Sequence, residues 1–91
     1  MKLNPEYVLR NIAGEQVVVP TGSASQKING LITLNTTAAF LWKCLEKGLS
    51  QQEMIEKMLE EFEVDEATAV LDVNGFLDMM LREGFATEEN P

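Results

Sequence analysis

The sequence predicts an α+β fold, an antiparallel sheet of three short strands followed by three helices, and three observations lead there. Runs of β-branched and apolar residues, punctuated by turn formers, fill the first 34 positions. Apolar residues then recur at helical spacing in three later segments. Each of those segments starts at a residue suited to cap a helix: Asn35, Ser50 or Asp65.

Residues 1–6 form a polar lead-in containing Pro5. Residues 7–12 read as the first strand, and residues 15–19, with three consecutive valines, as the second. Ala13-Gly14 lies between them. Alanine is costly at positive φ, so the expectation is a loop of about three residues with Gly14 left-handed, not a two-residue primed turn. Pro20 ends the second strand because it has no N–H to donate. Residues 21–26 are small and polar and should form a mobile connector. Asn29-Gly30 is a turn dipeptide, through which a stub at Lys27 and Ile28 folds back into the third strand, Leu31, Ile32, Thr33 and Leu34. Alternation puts Leu31 and Thr33 on one face and Ile32 and Leu34 on the other. With Thr33 the single polar side chain in that run, cover is expected on both faces.

The first helix repeats Ala38, Leu41, Trp42 and Leu45 at i, i+3, i+4 and i+7, an inward stripe, and stops at Gly48. This spacing makes Trp42 a core residue and not a binding aromatic. Ser50-Gln51-Gln52-Glu53 is a capping box, with Leu49 and Met54 as its hydrophobic staple, and it opens the second helix. Met54, Ile55, Met58, Leu59 and Phe62 are that helix's expected buried face. Asp65 caps the third helix and Gly84 ends it; its core stripe runs through Ala69 or Val70, Val73, Phe76 or Leu77, and Met80 or Leu81. Leu71, Asn74 and Asp78 fall to one side of that stripe. Met79 and Met80 suit adaptable packing or a permissive groove. Residues 85–91 should fray. Only about one residue separates the last two helices, and the order as a whole resembles a winged helix-turn-helix.

Ninety-one residues suit one domain, with an ordered core over about residues 7–85. The lone Cys44 has no intramolecular partner, which points to a reducing cytoplasm, and no histidine is present to activate it. It reads as a packed residue. No segment has the apolar run of a signal peptide or a membrane span. Fifteen acids against seven bases give a net charge of −8, which opposes a phosphate backbone. The third helix, the element that would enter a DNA groove, carries Glu66, Asp72, Asp78 and Glu83 against Arg82 alone. There is no zinc-ligand pair, phosphate loop or nucleophile elbow, and the acidic runs around Glu60 and Glu88 read as solvated surface. No metal, cofactor or catalytic residue is therefore expected.

In order, Tyr7-Val-Leu-Arg-Asn-Ile-Ala-Gly-Glu-Gln-Val-Val-Val-Pro20, Gly30, Leu34-Asn35, Ala39, Leu41-Trp42, Leu45, Glu61-Phe-Glu-Val-Asp65, Asp72-Val73, Phe76-Leu77 and Gly84-Phe85 resemble the PqqD family over about residues 7–85. The resemblance implies a RiPP recognition element: a small, winged-helix-like, non-enzymatic domain that binds the leader of a ribosomally made precursor peptide and presents it to a modifying enzyme. In the founding system that enzyme is a radical S-adenosylmethionine protein and the product is pyrroloquinoline quinone; relatives serve many other peptide pathways. The implied mode is strand addition, the leader pairing with the third strand and setting apolar side chains into the cleft beside the third helix. Carried onto this chain, the strand is Leu31, Ile32, Thr33 and Leu34. The helix wall, placed by periodicity, includes Val70, Leu71, Asn74, Leu77 and Asp78, of which Val70 and Leu77 equally suit plain core. The acidic surface favours basic residues in the leader or the enzyme. An open edge also admits a second copy of the chain, so a homo-oligomer is among the expected partners. The rival readings are a transcriptional or nucleic-acid-binding module and a structural subunit of a larger enzyme.

Overall fold

Alternating apolar strands and capped amphipathic helices give the element order of the computed structural model, which describes residues 1–22 and 31–88. A short strand β1 (Lys2–Leu3) precedes β2 (Tyr7–Ile12), β3 (Glu15–Pro20) and β4 (Ile32–Leu34). Helices α1 (Thr36–Glu46), α2 (Gln51–Glu61) and α3 (Glu66–Arg82) follow, and β5 (Ala86–Thr87) comes last. β2, β3 and β4 form one antiparallel sheet in that order, while β1 and β5 pair separately. The three-stranded sheet followed by three helices is the predicted α+β arrangement. The expected stub at Lys27 and Ile28, the Asn29-Gly30 turn and most of the 21–26 connector lie outside the described residues.

Three expectations give way. Ile12 pairs directly with Glu15, so the hairpin turns on Ala13 and Gly14 alone, with φ of 53° and 85°. Strand twist selects this primed turn over a longer loop, and alanine accepts the left-handed strain. Asn11 Oδ1 helps by accepting the Gly14 N–H at 3.1 Å. Second, residues 85–87 are clasped instead of frayed, while residues 89–91 of that expectation lie outside the described residues. Lys2 pairs with Thr87 and Leu3 with Ala86, and the Asn4 N–H donates to the Phe85 carbonyl at 2.8 Å. Phe85, just past the left-handed Gly84, is fully buried, with its ring 4.8 Å from that of Tyr7 and 5.8 Å from that of Trp42. Burying one large aromatic contributes more than fraying of the adjacent charged residues would release. Third, residues 62–65 separate α2 from α3, so that connection is longer than expected.

The caps are those the sequence indicates. Asn35 Oδ1 accepts the Ala38 N–H at 2.8 Å, Asp65 Oδ1 accepts the Thr68 N–H at 2.8 Å, and Ser50 and Glu53 form the reciprocal box. One core joins Val18 and Leu34 of the sheet to Ala39, Leu41, Trp42 and Cys44 of α1, Met54, Ile55 and Met58 of α2, and Ala69, Val73, Phe76 and Met80 of α3. In α1 the deepest stripe thus includes Ala39 and Cys44, whereas Ala38 and Leu45 are half-buried. Leu59 of α2 is exposed, and Phe62, just past the end of that helix, is half-buried. Among the described residues no helix is long and apolar enough to cross a membrane.

Candidate functional site: the β4 edge and the α1–α3 cleft

The register of the hairpin determines which backbone groups of β4 are free. Residues flanking a two-residue turn exchange both hydrogen bonds, and bonded and non-bonded pairs then alternate. Pro20, which has no N–H, falls opposite Tyr7 at a non-bonded position, and beyond it the Thr21 N–H reaches the Glu6 carbonyl at 2.6 Å, as the alternation requires. Gln16 and Val18 therefore turn their backbone groups toward β4, where they meet Leu34 and Ile32. Thr33, opposite Val17, turns its N–H and C=O away from β3. β4 is the last strand of its sheet, so these groups lie on an edge with no strand beside it among the described residues.

Side chains on β4 alternate as predicted, and one face meets the main core. Leu34 is buried and Ile32 half-buried against the core, while Thr33 is exposed and Leu31, just before the strand, is 56% exposed. On the second face Val17 of β3, opposite Thr33, is buried outside the main core, so that face is covered at β3 and open at Thr33 and Leu31.

A cleft of about 430 Å³ opens between α1 and α3 at the end of β4. Asn35, Thr37, Ala38 and Leu41 line it from one side, and Leu71, Asp72, Gly75, Phe76 and Met79 from the other. Asn35 is thus both the cap of α1 and the residue that joins edge to cleft. Leu71 is 72% exposed, the largest exposure of any bulky apolar residue described.

Of the helix wall predicted from periodicity, only Leu71 reaches this cleft. Asn74, Leu77 and Asp78 line a different depression, of about 320 Å³, with Met1, Gln51, Leu81 and Glu88. The Gln51 amide donates to Asn74 Oδ1 there, tying the start of α2 to α3. Val70 is half-buried and packs against the core. The ridge through Leu71 and Asp78, seven residues apart, divides the two depressions. Asp72, Gly75, Phe76 and Ala38 were not among the sequence candidates. Gly75 carried a signal, since a glycine inside a helix calls for a reason.

Asp72 is the one ionisable side chain among the described residues that line the cleft. Cys44 is buried in the core, where desolvation pushes its thiol pKa up despite Lys47 and Lys57 nearby. Glu53 and Asp65, whose carboxyls accept the hydrogen bonds of their helix caps, are held below the usual range by those bonds. Among the described residues no cluster of side chains could hold a metal ion.

A solved structure of "TbiB1 in Complex with the TbiA(beta) Leader Peptide" matches with a TM-score of 0.80 at 22% identity, covering 100% of both chains. A second, "Lasso peptide synthetase B1 complexed with the leader peptide", matches with a TM-score of 0.79 at 23% identity over 96% of each. At these identities the likeness is one of fold. No curated protein matches significantly in sequence. The family model described as Coenzyme PQQ synthesis protein D (PqqD) matches residues 6–86. With nearly the whole chain inside that match, the protein belongs to the PqqD family.

Proposed function

We propose that this protein is a non-enzymatic RiPP recognition element that binds the leader of a ribosomally made precursor peptide by strand addition and hands it to a modifying enzyme, such as a radical S-adenosylmethionine protein. The observation that carries this reading is the outward-turned backbone of Thr33 on a sheet edge with no neighbouring strand among the described residues, next to a cleft with apolar walls. Family membership and the leader-bound state of both structural neighbours support it. The leader lies along Leu31, Ile32, Thr33 and Leu34 and sets side chains into the cleft against Ala38, Leu71, Phe76 and Met79. Val70, Asn74, Leu77 and Asp78 lie away from this cleft, and a leader reaches Asn74, Leu77 and Asp78 only by crossing the ridge of α3.

Magnitudes favour the cleft over the edge. The two backbone groups of Thr33 contribute about 1 kcal/mol each, whereas association alone costs about 4 kcal/mol or more. Two or three buried leader side chains at about 1.5–3 kcal/mol each bring affinity to about the micromolar range. The strand therefore sets direction and register, and the cleft sets selectivity.

The test is titration of a fluorescent synthetic leader, taken from a short precursor encoded beside this protein, into wild type and Thr33→Pro. Proline removes the outward N–H without touching the bonds of Ile32 and Leu34 to β3. Loss of binding with helical circular dichroism retained is the expected result; tight binding by a folded variant rejects strand addition.

A further inference from the structure

The cleft of the proposed leader site has a lining that selects one kind of side chain, an inference that rests on the leader-binding reading. Asp72, Gly75, Phe76 and Met79 recur at i, i+3, i+4 and i+7 and form one stripe of α3 facing α1. Glycine in the middle of a helix costs stability relative to alanine. Packing does not require it here, because a Cβ at position 75 would meet no heavy atom within 4 Å. The missing side chain leaves a hollow that nothing in the described chain fills.

Side chains on a helix lean toward its N-terminus, so the hollow over Gly75 lies beside Asp72, one turn earlier. Asp72 is exposed, is the single charged residue lining the cleft, and has no ion-pair partner among the described residues. A side chain entering the hollow runs along the apolar surfaces of Phe76 and Met79 and ends at this carboxylate. A long apolar stem with a cationic head fits both parts. A wholly apolar side chain fits less well, because it would strip water from the carboxylate without replacing the hydrogen bonds. The wider field acts in the same direction: thirteen of the fifteen acids lie from Glu46 onward, with only three of the seven bases.

We propose that Asp72 and Gly75 together select a lysine or arginine of the bound peptide, Gly75 by admitting its stem and Asp72 by pairing with its charge. The experiment pans a phage-displayed random dodecapeptide library against the full chain and against Asp72→Asn, Asp72→Lys, Gly75→Ala and Gly75→Leu, with melting temperatures measured alongside. Wild type should enrich peptides with Lys or Arg at one fixed position. Asp72→Asn should weaken that preference about tenfold. Asp72→Lys should replace it with Asp or Glu, and Gly75→Leu should erase it while other positions stay selected. Gly75→Ala should melt no lower than wild type, which shows that position 75 accepts a side chain. The Asp72 variants, on an exposed face, keep the test decisive if Gly75→Leu does not fold. A basic position that persists in Asp72→Lys, or a wild-type consensus without one, overturns this proposal alone. Failure of wild type to enrich any peptide overturns the leader-binding reading beneath it.

Discussion

Single residues here carry identifiable costs and gains. Ala13 holds φ at 53° in a turn whose preferred residue at that position is asparagine. Ala13→Asn should therefore stabilise the protein by about 0.5–1 kcal/mol in urea denaturation, with the leader site unaffected. The helix caps make stability depend on pH. Glu53 and Asp65 titrate below their ordinary values of 4.5 and 3.8 in the folded protein, because their carboxylates accept hydrogen bonds there. A depressed folded pKa means that the contribution is complete above about pH 5 and is lost as pH falls through the folded value. Asp65→Asn keeps an acceptor for the Thr68 N–H and removes the titration. Stability of this variant, compared between pH 7 and pH 3, should fall less than that of wild type.

At the level of elements, β4 and α3 are each divided between structure and exposure. Three residues suffice to anchor β4, with Leu34 in the core and Thr33 facing outward. In α3 the buried stripe of Ala69, Val73, Phe76 and Met80 holds the helix, while Leu71 lies in solvent at the cleft. Leu71→Ala should change stability by less than about 0.5 kcal/mol, since little area is buried there in the free protein. The same change should weaken leader binding about tenfold, measured by the same titration as for Thr33→Pro, because that area is covered in the complex. The alternation of β4 and the core stripe of α3 were legible in the sequence. The flank of α3 that faces the cleft was not. Periodicity places Leu71, Asn74 and Asp78 beside the core stripe, but only the packing of α1 and α2 on opposite sides of α3 separates Leu71 from Asn74 and Leu77.

Across the whole molecule, the segments around β1 and β5 close over the core. The β1–β5 pair brings Asn4 onto Gly84 and Phe85, and Phe85 bridges the rings of Tyr7 and Trp42. Phe85→Ala should cost about 3–5 kcal/mol, a large share of the roughly 5–15 kcal/mol that a domain of this kind possesses. Thermal unfolding by circular dichroism reads this directly. In the sequence, Phe85 stood between a helix-stopping glycine and a charged end, where local composition spoke for fraying. Its burial depends on aromatics at positions 7 and 42, which no local pattern connects to it.

Short-range chemistry settled, from the amino-acid order alone, the α+β class, all three helix caps and the strand that ends at Leu34. These follow from hydrogen-bond donors within a turn and from side-chain periods of 2 and 3.6, both of which act between near neighbours. The outward turn of Thr33 on the last strand of its sheet, the cleft over Gly75 and the pairing of β1 with β5 were decided only when distant segments packed. Strand order, helix flank and long-range pairing are set by which surfaces meet, and no window of local sequence contains both partners.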